Sequence, residues 1–131
     1  MAYLRPPLFV RRIFNPLAMR FGIGGSQALT VPGRRSGNPQ RVPVIPVEHA
    51  GARYLVSARG ETDWVRNLRA AGQGELAGRH GSEPFRATEV PVAERPAIII
   101  AYRAVAGRAV KSLFEALPDP ADHPVFRIEA R

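Results

Sequence analysis

The stretch that decides the fold reads Thr30-Val31-Pro32-Gly33-Arg34-Arg35-Ser36-Gly37-Asn38-Pro39-Gln40-Arg41-Val42-Pro43-Val44. An apolar run starting at Ala28 enters a turn bracketed by Gly33 and Gly37, and a second apolar run leaves it. Two such runs around a glycine-containing loop predict a β-hairpin. Glycine permits positive φ and lets a ligand approach the backbone closely. Successive N–H groups in such a turn form a concavity suited to anions, and arginine forks match phosphate oxygens in pairs. The tip therefore has two readings: a phosphate cradle, or two solvated arginines at an exposed turn.

Working outward, the 131 residues suffice for one domain, residues 1–131, with a core of its own. No cysteine is present, which excludes disulfides and thiolate metal sites. His49, His80 and His123 lie far apart, so no metal site is expected. The net charge of +8 is unevenly spread. Residues 1–69 carry eleven arginines against three acids, whereas residues 70–131 balance eight basic against eight acidic side chains. All the excess charge falls in the half that holds the hairpin, which implies an anionic partner. No apolar run approaches the roughly 20 residues needed to span a bilayer. The first residues lack the apolar core and cleavage site of a signal peptide, so the expected location is cytoplasmic.

Residues 1–25 read as a basic amphipathic helix and linker. Leu8, Ile13, Leu17 and Phe21 fall near one face and Arg5, Arg11, Arg12 and Arg20 near another. Packing on a barrel and peripheral contact of residues 1–21 with an anionic membrane are the two readings of this segment. Strands are expected over 27–31, 40–48 and 53–58, with Pro43 and Pro46 placing the second at an edge or at bulges. Thr62 or Asp63 starts a helix that runs to Ala71 and closes at Gly72, with Trp64, Val65 and Leu68 turned inward. A second hairpin is expected over 73–92, turning at Gly81-Ser82. A long helical pattern from Glu94 (Ile98, Ile99, Tyr102, Val105, Val110, Leu113, Phe114, Leu117) is divided at Gly107, and a last strand covers 123–128. Five or six short strands with helices at the ends predict a small antiparallel barrel, mainly β with helices (α+β).

Phosphate-loop, dinucleotide and nucleophile-elbow motifs are absent, and no carboxylate pair stands out. No catalytic side chain is assigned, so an enzyme of this sequence relies on a cofactor for the chemistry. Arg34, Arg35, Arg41 and Arg59 are candidates for one rim, and Ser36 and Ser57 add hydroxyls. Trp64 reads either as the wall of a flat ring or as a core anchor. Asn67 reads as a backbone cap or a ligand contact. Nucleic-acid binding through the same arginines is the alternative from another class, but few aromatics accompany them, so no nucleic acid is expected.

Four motifs in order and spacing carry a family resemblance. They are Thr30-x-Pro32-Gly33-Arg34-Arg35-Ser36-Gly37, Arg41-Val42-Pro43-Val44, Val56-Ser57-Ala58-Arg59-Gly60, and Asp63-Trp64-Val65-Arg66-Asn67-Leu68-Arg69-Ala70. Together they resemble the deazaflavin-dependent nitroreductase family, actinobacterial oxidoreductases with a split β-barrel related to FMN-binding proteins. The Asp122-His123-Pro124-Val125-Phe126-Arg127-Ile128 ending is similar to members of that family. The resemblance implies binding of coenzyme F-420, a deazaflavin with a phosphodiester and an acidic tail, with FMN as runner-up. It places the phosphate at Arg34, Arg35, Ser36 and Gly37, near Arg41. Pro43, Val44, Ser57, Ala58, Arg59 and Gly60 would line the deazaflavin and its side chain, with Trp64 matching the tryptophan beside the ring and Asn67 the asparagine after it. The implied reaction passes hydride to a small organic acceptor, an activated alkene, quinone or nitro compound. The chain departs from the family in its short Arg59-to-Trp64 link and in offering one tyrosine, Tyr102, to join Trp64 in a substrate pocket. A monomer or homodimer is expected, and a non-catalytic cofactor binder is the alternative.

Overall fold

The computed structural model describes residues 25–78 and 81–131. Seven strands form one antiparallel sheet: β1 (Gln27–Pro32), β2 (Pro39–Val44), β3 (Val47–His49), β4 (Ala52–Val56), β5 (Gln73–Gly78), β6 (Gly81–Glu89) and β7 (Val125–Ala130). Their order is β2-β1-β5-β6-β7-β4-β3, and the sheet curls into a half-barrel. Among the described residues three α-helices accompany it: α1 (Asp63–Ala71), α2 (Arg95–Ala106) and α3 (Lys111–Ala116).

Alternation along the strands gives the sheet two apolar faces. Leu29, Val31, Val44, Leu55, Leu76, Phe85, Phe126 and Ile128 pack with Val65 and Leu68 of α1 in one core. Val47, Val56, Val90 and Val125 pack with Ile98, Ile99, Tyr102, Val110 and Phe114 of the C-terminal helical region in the other. The expected hairpin is present, with Pro32 paired to Pro39 and Gln27 to Val44. Helix α1 has the expected caps: Thr62 Oγ1 accepts from the Val65 N–H, and Gly72 closes the helix in the left-handed region at φ 70°.

Several boundaries differ from expectation. The strand expected over 40–48 is two strands, broken at Ile45-Pro46, where proline cannot donate to a ladder. That break makes seven strands of the five or six expected, and it puts β2 and β3 at the two edges. Gly78 pairs with Gly81, so the second hairpin closes before Gly81-Ser82. The last strand starts at Val125, two residues late, and runs to Ala130. Val105, expected inward, is 55% exposed, because α2 ends at Gly107 before its stripe completes another turn. The helices cover the two faces of the sheet. The helix and linker expected over residues 1–25 lie outside the described residues apart from Gly25. Among the described residues no helix is long and apolar enough to cross a membrane.

Candidate functional site

The hairpin tip is held as a defined turn. The Gly33 N–H donates to the Asn38 carbonyl at 2.8 Å and the Gly37 N–H to the Gly33 carbonyl at 2.9 Å. Ser36 Oγ accepts from the Asn38 N–H at 3.1 Å and keeps its own O–H free to donate. Gly37 sits at φ +77°, and a Cβ on Gly33 would stand 3.1 Å from Ser36 Oγ and 3.3 Å from the Asn38 carbonyl. The left-handed backbone favours glycine at 37, and the close approach of Ser36 and the Asn38 carbonyl favours it at 33.

Asn67, buried at 4% exposure on α1, fastens the turn to the helix. Its Oδ1 accepts from the Arg34 N–H at 3.0 Å and from Arg34 Nη1 at 2.9 Å. Arg34 Nη2 also stands 3.5 Å from Asp63 Oδ1. Asp63 and Asn67 are one turn apart and therefore share a face. The charge of Arg34 is thus partly spent inside the protein. Arg35 is exposed and makes no hydrogen bond or ion pair among the described residues.

The second segment, 57–60, arrives at the same end of the sheet. The register places Pro32 of β1, Gln73 of β5, Glu89 of β6 and Val56 of β4 toward one edge of the molecule. The Ser57 N–H donates to the Pro124 carbonyl at 2.9 Å, and Ser57 Oγ donates to the Gly60 carbonyl at 2.5 Å. The Thr62 N–H donates to that same carbonyl at 2.8 Å, which joins the bend to the cap of α1. Gly60 takes φ +86°. Ser57 and Ala58 are buried, so the Ser57 hydroxyl shapes the bend. Trp64 is half-buried, with its ring centroid 6.1 Å from that of Phe126.

These elements bring Arg34, Arg35, Ser36, Gly37, Asn67, Ser57, Ala58, Arg59, Gly60 and Trp64 to one end. Arg41 is exposed on β2, paired with Thr30, and lies below the tip. Pro43 is farther along, roughly 14 Å of strand from Pro39. Val44 belongs to the first core. Tyr102 is a correction: it is 5% exposed in the second core, its ring 6.3 Å from that of Phe114, on the sheet face opposite to Trp64. Burial pushes its phenol up to about 12, and it does not share a pocket with Trp64.

Sequence reasoning missed two of the contacts that build this end. Asp63 had a usable signal, since it stands one turn before Asn67. His123, which meets the Ser57 carbonyl at 2.8 Å, lies in the quoted Asp122–Ile128 ending, but nothing local pointed to a partner 66 residues away in the chain. Among the described residues, the donor set at this end includes the exposed Arg35 guanidinium, the Ser36 hydroxyl and a glycine-bounded turn, all at the surface. That set suits a phosphate group.

Comparison with known proteins agrees with the fold. A search among curated proteins finds no match. A solved F420-H2-dependent reductase, FDR-A, is 21% identical and superposes with a TM-score of 0.58 over 80% of this chain and 94% of its own. A structure described as a domain-swapped dimer is 23% identical, with a TM-score of 0.57 over 80% of each chain. A putative 5-nitroimidazole antibiotic resistance protein from Bacteroides thetaiotaomicron is 12% identical, with a TM-score of 0.56 over 98% of this chain and 81% of its own. Residues 9–111 match the sequence model of the F420-H2-dependent quinone reductases, and the chain belongs to that family.

Proposed function

We propose that this protein holds reduced coenzyme F-420 across the end of the half-barrel formed by the 33–38 turn, the 57–60 bend and the start of α1. When bound, the reduced deazaflavin supplies hydride to a small organic acceptor such as a quinone, an activated alkene or a nitro compound. The observation that carries the reading is the Arg34–Asn67 fastening, which fixes a glycine-bounded turn on α1 and leaves Arg35 exposed. The family match supports it.

Each residue has a separate task. Arg35 and the Ser36 hydroxyl bind a phosphodiester, and Arg34 sets the turn that presents them. Arg41 extends the positive charge along β2 toward an acidic tail. Gly60 lets a ligand approach the backbone of the bend, with Ala58, Arg59 and, farther along β2, Pro43 as further lining, while Val44 supports β2 from the core. Trp64 forms an aromatic wall at the first turn of α1, where it orients a flat ring and excludes water. FMN offers a phosphate to the same turn but no acidic tail, so it is the weaker partner. A homodimer is the assembly in keeping with the domain-swapped relative.

The test is fluorescence titration of the purified protein with F-420 and, in parallel, with FMN. Saturable binding of F-420 at micromolar concentration is expected. Arg35→Glu is expected to weaken it at least tenfold, since a charged hydrogen bond contributes about 1.5–3 kcal/mol. Unchanged affinity in a folded Arg35→Glu variant would return the tip to a solvated turn.

A further inference from the structure

Helix α2 closes the second core with one face and shows solvent an apolar face on the other. Arg95, Ile98, Ile99 and Tyr102 are turned inward. Ala97, Ile100 and Ala104 are exposed. These three stand at i, i+3 and i+7, so they form one stripe along the helix. Ile100, at its centre, is 69% exposed. Among the described residues the other exposed large hydrophobics are Val92 and Val105, at the two ends of the same segment. Single apolar side chains scattered over a surface need no partner, but here all three gather on one helix and its entry turn.

The stripe has the relief of a helix-packing surface. Ile100 projects between two alanines, each one turn away, as a knob with a hollow on either side. Small residues let a second helix approach to the roughly 8–10 Å of packed axes. They offer little to a lipid surface, whose hold scales with the apolar area it buries. The two ends of the helix differ in charge. Glu94 stands at its start, Arg103 in its last turn and Arg108 just past its end. Arg103 lies over Phe114 of its own chain, 4.8 Å from the ring centroid. Glu94 and Arg108 are exposed, and neither makes an ion pair among the described residues. Antiparallel alignment of two such helices sets the acidic start of each beside the basic end of the other and opposes their dipoles. A surface that complements itself about a two-fold axis fits a second copy of the same chain.

We propose that the exposed face of α2 is the contact between two copies of this chain, a symmetric pair of antiparallel α2 helices. Ile100 of each copy fills the hollow between the partner's Ala97 and the partner's Ala104, and Glu94 of each faces the partner's Arg108. One helix pair buries less than the roughly 1,600 Å² of a standard interface, so the dimer dissociates in the micromolar range. The contact lies on the sheet face opposite Trp64 and leaves the cofactor end open. It gives the homodimer proposed above its surface, and it does not depend on F-420.

Sedimentation velocity of the full chain from about 1 to about 500 µM tests the pair. A concentration-dependent passage from monomer to dimer is expected, weakened about tenfold or more by Ile100→Glu, whose exposed position keeps the fold intact. Glu94→Arg and Arg108→Glu are each expected to weaken self-association, because each sets like charges against one another twice. Mixed in equal amounts, these two variants are expected to form a heterodimer more readily than either forms a homodimer. Recovery in the mixture separates pairing across the interface from damage within one chain. A wild-type chain that stays monomeric throughout, a dimer indifferent to Ile100→Glu, or charge variants that gain nothing on mixing would overturn the proposal. A monomer that floats with phosphatidylglycerol vesicles, and no longer does so with Ile100→Glu, would also overturn it and give the face to a lipid surface. F-420 titration of Ile100→Glu is expected to match wild type. Failure of the wild-type chain to bind F-420 would overturn the proposed function, while a dimer that responds as above would still support this interface.

Discussion

Asn67 concentrates the chemistry of the site in one amide. Its oxygen receives two donors from Arg34, one from the backbone and one from the guanidinium, inside a buried position on α1. Removing the acceptor there takes the protein partner from two part-buried donors of Arg34, a cost of about 0.5–1.5 kcal/mol because water can reach them. Asn67→Ala is therefore expected to lower stability by that amount in urea unfolding and to speed amide exchange through 34–38. Asn67→Asp keeps the acceptor and adds attraction to Arg34, so it should retain the protected turn. Equal exchange rates in both variants would show that the turn holds itself. The sequence marked Asn67 as a cap or a ligand contact, because local patterns suggest local partners. Its partner lies 33 residues upstream, a pairing that only the strand order creates.

At the scale of elements, β5 is the strand with least room. It runs between β1 and β6, and Gly74 is pressed from both sides. A Cβ there would meet the Thr30 carbonyl at 2.9 Å, Val31 Cγ1 at 3.0 Å and Phe85 Cζ at 3.1 Å. None of these moves freely, since one is backbone and the other two are core side chains at 1% exposure. Gly74→Ala is expected to cost about 1–3 kcal/mol by overpacking, read from the urea midpoint. Gly37→Ala is a contrast, because nothing lies within 4 Å of its Cβ and only its φ of +77° opposes it. It should cost about 1–2 kcal/mol, the left-handed penalty, with no loss of core packing. Elements defined by local chemistry were readable in advance: the alternation of β1, the Thr62 and Gly72 caps of α1, the prolines at an edge. The second hairpin was misplaced by its glycines. Gly81-Ser82 looks like a turn, yet Gly81 belongs to the ladder opposite Gly78.

For the whole molecule, the question is what joins two cores that lie on opposite faces of one sheet. No sequence pattern shows this, because β1–β5 and β4–β7 pairing and the placement of helices on both faces depend on contacts far apart in the chain. Glu89, at the end of β6, provides one link. Its carboxylate receives Arg69 of α1 at 2.7 and 2.8 Å and lies 3.4 Å from Arg95 at the start of α2. Arg69 also grips Glu61 with two hydrogen bonds, so the link reaches the bend before α1. The hydrogen bonds from Arg69 hold the Glu89 carboxyl below its ordinary value of 4.5, against the opposing effect of burial. The Glu89 hydrogen bonds likewise raise the Arg69 guanidinium. The sign of the pH effect follows: a lowered native value means a contribution complete above about 4.5 and lost as pH falls through the lower native value. Glu89 is partly exposed, so solvent screening reduces the contribution to about 1–2 kcal/mol. Glu89→Gln is expected to lose that amount near neutral pH and to flatten the acid limb of the stability curve, so that wild type and variant converge as pH falls. Thermal or urea unfolding from about pH 7 to about pH 3 measures both curves. Curves that stay parallel to the lowest pH would mean that Glu89 does not join the two faces electrostatically.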